Sequence, residues 1–215
     1  VMTKLQPGAA GDYREMQAKV IEAYKKDSVP WREVWSTSMF GEPQYVAVFP
    51  AGKMERYETP NPVRKMLNDT DYARYSQKMS RLVASSRSVL VTTRPDLSIA
   101  SEDRKPKWAI VTVLIAEPGK QAAVEAVILS DLKPAWQTAG MKDVWVHQTI
   151  LGGPVTEYTI VALIDNWAEM DGGGPMVRAL GRKGWDKIRQ KVAGLATSIE
   201  NSVMAHQPEL SYMQP

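Results

Sequence analysis

The stretch that decides the fold runs from residue 108 to residue 119 and reads WAIVTVLIAEPG. Its β-branched residues predict a strand, and the Glu-Pro-Gly that follows predicts the turn that ends the strand. Apolar side chains then recur at helical spacing over residues 120–138, which indicates a helix with one buried face. Two further strands are predicted at 142–151 and 157–164, and the Gly-Gly-Pro between them indicates a hairpin.

A second helix and a last strand complete this half of the chain. The glycine-rich loop at 171–175 leads into a helix, with Pro175 suited to its first position, and the helical pattern continues over residues 181–199 with a buried stripe that includes Trp185 and Val192. A short strand is predicted over 201–206. The first half repeats this order, with strands predicted at 2–5, 31–40, 44–49 and 87–93 and helices at 11–26 and at 62–86, the latter broken near Asn68. The order β-α-β-β-α-β predicts a ferredoxin-like plait, in which four antiparallel strands carry two helices on one face.

Short sequence matches occur in the same order in the two halves. LQPG at 5–8 matches AEPG at 116–119, and VW at 34–35 matches VW at 144–145. A period of about 110 residues predicts two copies of one domain rather than a solenoid. The predicted parts are a first ferredoxin-like repeat at 1–98, a polar linker at 99–107 and a second repeat at 108–215.

The predicted strands are apolar on both faces. Residues 111–115 read VTVLI and residues 160–164 read IVALI, whereas a sheet with one solvated face alternates apolar and polar residues. We therefore expect the other copy to cover the second face. The predicted fold class is α+β, with two tandem plaits packed sheet to sheet as an intramolecular α/β barrel.

The element order, together with the Pro-Gly after the first strand of each half, resembles the dimeric α/β-barrel superfamily. This superfamily includes antibiotic-biosynthesis monooxygenases, NIPSNAP-like proteins, and the haem-binding chlorite dismutases and dye-decolourising peroxidases. The resemblance covers nearly the whole chain and implies two plaits joined through their sheets around a cavity, but it implies no single function. The peroxidases carry a Gly-x-x-Asp-Gly motif, and Ala168 replaces its first glycine before Asp171 and Gly172.

Composition excludes several classes of protein. The 215 residues are 44% hydrophobic and 24% charged, which is typical of a globular chain, and the net charge of +3 is too small to indicate nucleic-acid binding. Without cysteine and with two histidines, no metal site or cofactor is predicted. No stretch approaches the roughly 20 apolar residues of a membrane helix. Because the chain begins with Val1, we expect a trimmed N-terminus, and export to the periplasm or medium stays an alternative to an arbitrary boundary.

His147 is the candidate catalytic residue. It lies two positions after Trp145 on a predicted strand, so both side chains project from one face, and the matching pair in the first half is Trp35 and Thr37. Histidine changes its charge near neutral pH and serves as a base or as an axial haem ligand. The alternative is a histidine that is hydrogen-bonded in the barrel wall.

Aromatic and arginine side chains are the candidate ligand-binding residues. Four large rings are expected to line the cavity and to receive a flat apolar molecule: Trp35, Trp145, Tyr45 and Tyr158. Arg64 and Arg178 follow prolines that begin helices in the two halves, and such a pair suits an anionic group. The alternative for both arginines is an ordinary surface ion pair.

Three hypotheses for the function remain open. The first is binding of a small apolar or aromatic molecule in a cavity between the two sheets. The second is a cofactor-independent oxygenase or isomerase, or a haem protein, that uses His147. The third is a structural module with a filled barrel, whose exposed aromatic side chains make homo-oligomer contacts. The sequence leaves open whether the protein is an enzyme.

Overall fold

The computed structural model describes residues 1–101 and 106–214, so the middle of the predicted linker, residues 102–105, lies outside the described residues. The chain divides into two compact units. Unit 1 comprises Val1–Thr37, Glu42–Ser88 and His206–Pro215, and unit 2 comprises Ser38–Gly41 and Val89–Ala205. Within the described ranges, no helix has both the length and the apolar character that a membrane crossing requires.

The described residues form helices together with antiparallel strands, which confirms the prediction of an α+β fold. In chain order the elements are β1 (Met2–Leu5), α1 (Ala10–Lys26), β2 (Trp31–Thr37), β3 (Tyr45–Val48), α2 (Pro62–Met66), α3 (Asp69–Leu82), β4 (Val83–Arg87), β5 (Leu90–Thr93), β6 (Trp108–Ala116), α4 (Gln121–Val127), α5 (Lys133–Thr138), β7 (Val144–Leu151), β8 (Glu157–Ile164), α6 (Gly174–Ala193), β9 (Ala196–His206) and β10 (Tyr212–Met213). A π-helical turn (Ile128–Leu132) joins α4 to α5, and 3-10 turns lie at Met54–Glu58, Trp167–Gly173 and Pro208–Leu210.

The sheet of unit 1 has the strand order β4-β1-β3-β2, and β10 also pairs with β2. α3 begins at Asn68, whose side chain accepts a hydrogen bond from the backbone N–H of Asp71 at 2.9 Å, so the predicted break is a helix N-cap. The helix predicted to continue to residue 86 ends at Leu82 instead. Residues 83–87 form β4 because they pair with β1, a contact that is distant in sequence and overrides local helix propensity.

The sheet of unit 2 has the order β9-β6-β8-β7-β5. Its first four strands repeat the order of unit 1, and its fifth strand, β5, pairs with β7 as β10 pairs with β2. The last strand begins at Ala196, five residues before the predicted start, because Ala196 to Ala205 pair with β6. The preceding helix therefore ends at Ala193, before Gly194, and does not reach residue 199.

A serine occupies the same place in both units. In unit 2 the backbone N–H of Val146 donates to Ser98 Oγ at 2.9 Å, and in unit 1 the N–H of Val34 donates to Ser211 Oγ at 2.9 Å. Val34 therefore corresponds to Val146. By this hydrogen bond Trp35 occupies the strand position that His147 occupies in unit 2, whereas the sequence match pairs Trp35 with Trp145.

Candidate functional site

A cavity of about 650 Å³ lies in unit 2 between the sheet and helix α6. Alternate residues of a strand share one face, so Ile110, Thr112 and Leu114 of β6 all project to the helix side. β8 contributes Ile160, Ala162 and Ile164 in the same way, and β7 contributes Val144. The cavity therefore spans the helix-facing side of the sheet.

The remaining wall comes from helices and from the turn before α6. Large apolar side chains predominate in it: Leu132, Trp136, Met141, Met170, Met176, Trp185 and Val192. Methionine side chains are unbranched and flexible, so a wall that contains three of them adapts to the shape of a bound molecule. The two indole rings add broad flat surfaces.

Burial distinguishes a closed end from an open end. Val144 and Leu132 are buried, whereas Arg189 and Gln190 of α6 are exposed at the other end. On the strand side of this open end, Ile199 of β9 is 38% exposed and Asn201 is also exposed. The cavity thus opens between the second half of α6 and β9.

Polar groups of the lining cluster at the open end. Thr112 Oγ1 donates to Asn201 Oδ1 at 2.7 Å. Arg189 Nη1 lies 3.7 Å from Asp186 Oδ1, one turn earlier on α6. The chemistry available there is one carboxylate, one guanidinium and amide groups, above an apolar interior.

Glycines shape the turn that closes one side of the cavity. Gly172, Gly173 and Gly174 have φ values of 68°, 94° and 84°, a left-handed region that L side chains rarely adopt. A Cβ at Gly174 would lie 3.2 Å from Met170 Cε. Arg178 Nη1 holds this turn by donating to the carbonyl oxygens of Glu169 and Asp171 at 2.8 and 2.6 Å.

The two predicted arginines therefore bind protein groups. Arg178 supports the glycine turn of the cavity wall. Arg64 forms an ion pair with Asp69, donates to the carbonyl oxygen of Leu67 at 3.2 Å and stacks over the Tyr72 ring at 5.1 Å. That either arginine holds an anionic ligand stays a prediction.

His147 and Trp145 project from the face of the unit 2 sheet opposite to Val144 and Val146, so they do not line the cavity. His147 Nδ1 lies 3.0 Å from Thr93 Oγ1, the neighbouring position on β5. Burial lowers the pKa of His147 below its ordinary value, so the imidazole is neutral at neutral pH. The role of His147 in proton transfer stays a prediction, and any such reaction would take place on the sheet face opposite to the cavity.

Tyr158 packs in the core of unit 2. It is fully buried, and its hydroxyl donates to Glu125 Oε1 at 2.7 Å. Arg94 also donates to both oxygens of Glu125, at 2.7 and 2.9 Å. Burial, and then the bond to Glu125, raises the pKa of Tyr158, so this hydroxyl keeps its proton. The network supports the core beside the cavity.

The other two predicted rings belong to unit 1. Tyr45 is buried against Tyr13, with ring centroids 5.0 Å apart, and its hydroxyl accepts from Arg14 Nε at 3.2 Å. The Trp35 ring lies 4.9 Å from that of His206. None of the four rings expected to hold a ligand lines the cavity of unit 2.

Sequence reasoning did not single out the residues at the open end, Thr112, Asp186, Arg189, Gln190 and Asn201. One available signal was the basic sequence RKGWDKIRQK at 182–191, which begins after a glycine and surrounds Trp185. Over the parts of the chain that are described, no three His, Cys, Asp or Glu side chains form a group that could hold a metal ion.

Comparisons with known proteins agree with this architecture. The sequence matches no family model and no curated protein. Among solved structures, a "putative monooxygenase" from Lactobacillus acidophilus is similar, with a TM-score of 0.60, 8% identity, and coverage of 99% of this chain and 94% of that one. The chain shares its fold with that protein.

Two further structures have the same fold. A "putative monooxygenase" from Fusobacterium nucleatum has a TM-score of 0.58 at 8% identity and covers 95% of this chain and 89% of its own. An anthrone oxidase-like protein has a TM-score of 0.60 at 11% identity and covers 96% and 89%. At these identities the likeness establishes the fold and leaves the activity open.

Proposed function

We propose that unit 2 binds a small, largely apolar molecule in the cavity between its sheet and α6. The observation that carries the proposal is the cavity of about 650 Å³, with an apolar interior and polar groups confined to its open end. Ligand sites of small molecules have this size and this distribution of polarity. The sequence placed the ligand between two sheets, and the proposal moves it to the helix side of one sheet.

We also propose that the chain is a tandem pair of ferredoxin-like repeats, at 1–98 and 108–215. Two observations support the duplication. The first four strands have the same order in each unit, and a serine accepts the backbone N–H of the second strand in each unit. The proposed ligand site needs only unit 2.

The binding proposal is tested with N-phenylnaphthylamine, a neutral aromatic probe that fluoresces in apolar surroundings. Wild-type protein is expected to bind one probe per chain. Ala162→Phe fills the cavity from β8 and should weaken binding at least about tenfold, since little space for the probe remains. Ala193→Phe obstructs the open end, and Ala168→Phe is the control at an exposed position outside the lining.

The thermal midpoint of each variant shows whether it is folded. Equal probe binding by wild type, A162F and A193F would contradict the proposal. Probe binding by none of the four proteins would contradict it too, and would favour the structural-module hypothesis instead.

A cofactor-independent oxygenase is the second candidate, because the similar structures include two described as "putative monooxygenase" and one described as anthrone oxidase-like. For a substrate such as an anthrone, one atom of O₂ becomes a carbonyl oxygen on the CH₂ carbon. The other atom leaves as water with the two hydrogens of that carbon. Asp186 supplies the carboxylate that a proton transfer needs at the cavity. The lining contains no histidine, so the haem alternative has no axial imidazole there.

Oxygen uptake with anthrone, corrected for the reaction without protein, tests the second candidate. A reaction in the cavity should be lost in A162F and retained in His147→Gln, whose side chain lies on the opposite face of the sheet. Loss in H147Q with full activity in A162F would assign the chemistry to the face predicted from the sequence. No uptake above the uncatalysed rate would overturn the oxygenase.

A further inference from the structure

Positive charge is concentrated on the part of α6 that borders the open end of the cavity. Residues 182–191 contain five basic and one acidic side chain, a net charge of +4 against +3 for the whole chain. Lys191 is paired with Asp131 at 2.6 Å. The other basic side chains of this stretch make no ion pair as short as this one with a described residue.

Of these basic residues, Arg189 is the one that lines the cavity. Its nearest carboxylate oxygen is that of Asp186, at 3.7 Å, which is too long for a hydrogen bond. Its guanidinium makes no hydrogen bond to any residue that the structure describes. The planar guanidinium presents several N–H donors in a fork that fits carboxylates and similar anions.

A second donor faces the same opening from the strand side. Asn201 uses its Oδ1 to accept from Thr112, which leaves its amide NH₂ group as a donor. Asn201 and Arg189 both line the cavity, one from β9 and the other from α6. The open end therefore offers hydrogen-bond donors from both sides, while the interior offers apolar surface.

We infer that the ligand of unit 2 is an anionic amphiphile, with its apolar body in the cavity and its anionic group at the open end, bound by Arg189 and Asn201. This inference rests on the proposed function, since it needs an occupied cavity. A neutral apolar molecule would fill the interior but would leave the guanidinium with no anionic partner closer than Asp186, at 3.7 Å. An anion at the end of the ligand makes charge-assisted hydrogen bonds with Arg189, and these are stronger than neutral ones.

The test compares two probes that differ in one anionic group. Anilinonaphthalene sulfonate and N-phenylnaphthylamine share the same aromatic body, and only the first carries a sulfonate. Arg189→Gln should weaken binding of the sulfonate probe about tenfold, because it removes charge-assisted hydrogen bonds. The same variant should leave binding of the neutral probe within about twofold, because the apolar lining is intact.

Lys187→Gln is the matched control. Lys187 lies two residues from Arg189 on the same helix, is exposed and carries the same charge, but it does not line the cavity. It should change binding of either probe by less than about twofold, since a single exposed charge is weakly felt at ordinary salt. Dodecanoate, a soluble carboxylate amphiphile, should displace the sulfonate probe from wild type and much less readily from R189Q.

Several results would overturn the inference. If R189Q and K187Q weaken binding of the sulfonate probe equally, a diffuse positive field attracts the probe. Equal weakening of both probes by R189Q would mean that the arginine acts through packing alone. Sulfonate binding that A162F leaves unchanged would place the anion on the surface. If the neutral probe binds and Arg189 has no effect, this inference fails alone, whereas no neutral-probe binding removes the proposed function as well.

Discussion

The two units share the order of their first four strands but fill the space between sheet and helices differently. In unit 1 the position next to the helices on β2 is Arg32, which is only 3% exposed. In unit 2 the corresponding position on β7 is Val144, which is 0% exposed and lines the cavity. One architecture therefore supports either a core that contains a buried cation or a hollow apolar one, and we expect the ligand in the hollow unit.

Hydrogen bonds to neutral oxygens hold the buried cation of unit 1. Arg32 donates to Gln17 Oε1 and to the carbonyl oxygen of Leu210, both at 2.6 Å. Burial lowers the pKa of Arg32 but leaves it charged, and tyrosines lie around it. Burial raises the pKa of one of them, Tyr75, to about 12, so it stays neutral. Unit 1 thus contains a buried cation that is satisfied by neutral oxygens.

The largest effect is expected when the cation of unit 1 is transferred to unit 2. Val144→Arg should reduce the free energy of unfolding by at least about 4 kcal/mol relative to Val144→Met. The reason is that the apolar lining of unit 2 lacks acceptors like those that bind the Arg32 guanidinium in unit 1. Urea unfolding, followed by tryptophan fluorescence, measures the difference. Equal stability of the two variants would show that the cavity is wet enough to hydrate a charge, contrary to the account.

The reverse change removes the cation from unit 1. Arg32→Met leaves Gln17 Oε1 and the carbonyl oxygen of Leu210 without their donor and should cost about 3 kcal/mol of unfolding free energy. Adding Gln17→Leu removes one of the two acceptors that Arg32→Met leaves without a donor. The double variant should therefore recover about 1 kcal/mol or more of the unfolding free energy. The same urea experiment measures both variants. A loss that is larger in the double variant would contradict this explanation.

Glu125→Gln tests the network that supports the core beside the cavity. The amide still accepts from Tyr158 but no longer carries the charge that pairs with Arg94, so a loss of about 1–2 kcal/mol is expected at neutral pH. The hydrogen bond from Arg94 lowers the pKa of Glu125 in the folded state. Its stabilisation is therefore present above the unfolded pKa of about 4.3 and is lost as the pH falls through the lower folded value.

E125Q should consequently lose less stability than wild type when the pH is lowered from about 5 to about 3. Unfolding midpoints in urea at several pH values measure this. Glu200→Gln, at an exposed carboxylate of unit 2, is the matched control and should follow wild type. Parallel pH profiles for wild type and E125Q would show that the ion pair adds nothing.

The smallest expected effect is on the pH dependence of stability. It concerns the strand position that His147 occupies in unit 2 and that Trp35, which does not titrate, occupies in unit 1. Burial lowers the pKa of His147 below its ordinary 6.5, so the folded state binds fewer protons than the unfolded state. Stability therefore falls as the pH drops below about 6.5. His147→Gln should flatten this decline, while His206→Gln serves as the comparison. A steeper decline in H147Q would reverse the expected sign.

Local patterns predicted most elements of the fold. The β-branched and apolar residues and the flanking turn residues predict β8 at its observed bounds, 157–164, and the side-chain cap at Asn68 corresponds to the predicted break in a helical pattern. Residues 87–93 were read as one strand, but they contribute to β4, which pairs with β1, and to β5, which pairs with β7. Pairing with distant strands decides such bounds, and a local pattern does not contain it.

The site was harder to predict for a different reason. The helical spacing of Trp185 and Val192 predicts that both lie on the inward face of the second helix, and both line the cavity. Periodicity shows which side chains face inward, but it does not show whether they fill the space. That depends on the volumes of all facing side chains and on the path of the glycine turn before α6, which is set by three-dimensional packing.

The most direct test of the central claim is a crystal structure of the protein with N-phenylnaphthylamine bound. The account predicts electron density for the probe on the helix side of the unit 2 sheet, between Trp136, Ala162 and Trp185. Density for the probe beside Trp145 and His147, on the opposite face, would contradict the account and favour the site predicted from the sequence. A helix side filled by protein side chains, with no room for the probe, would contradict it equally.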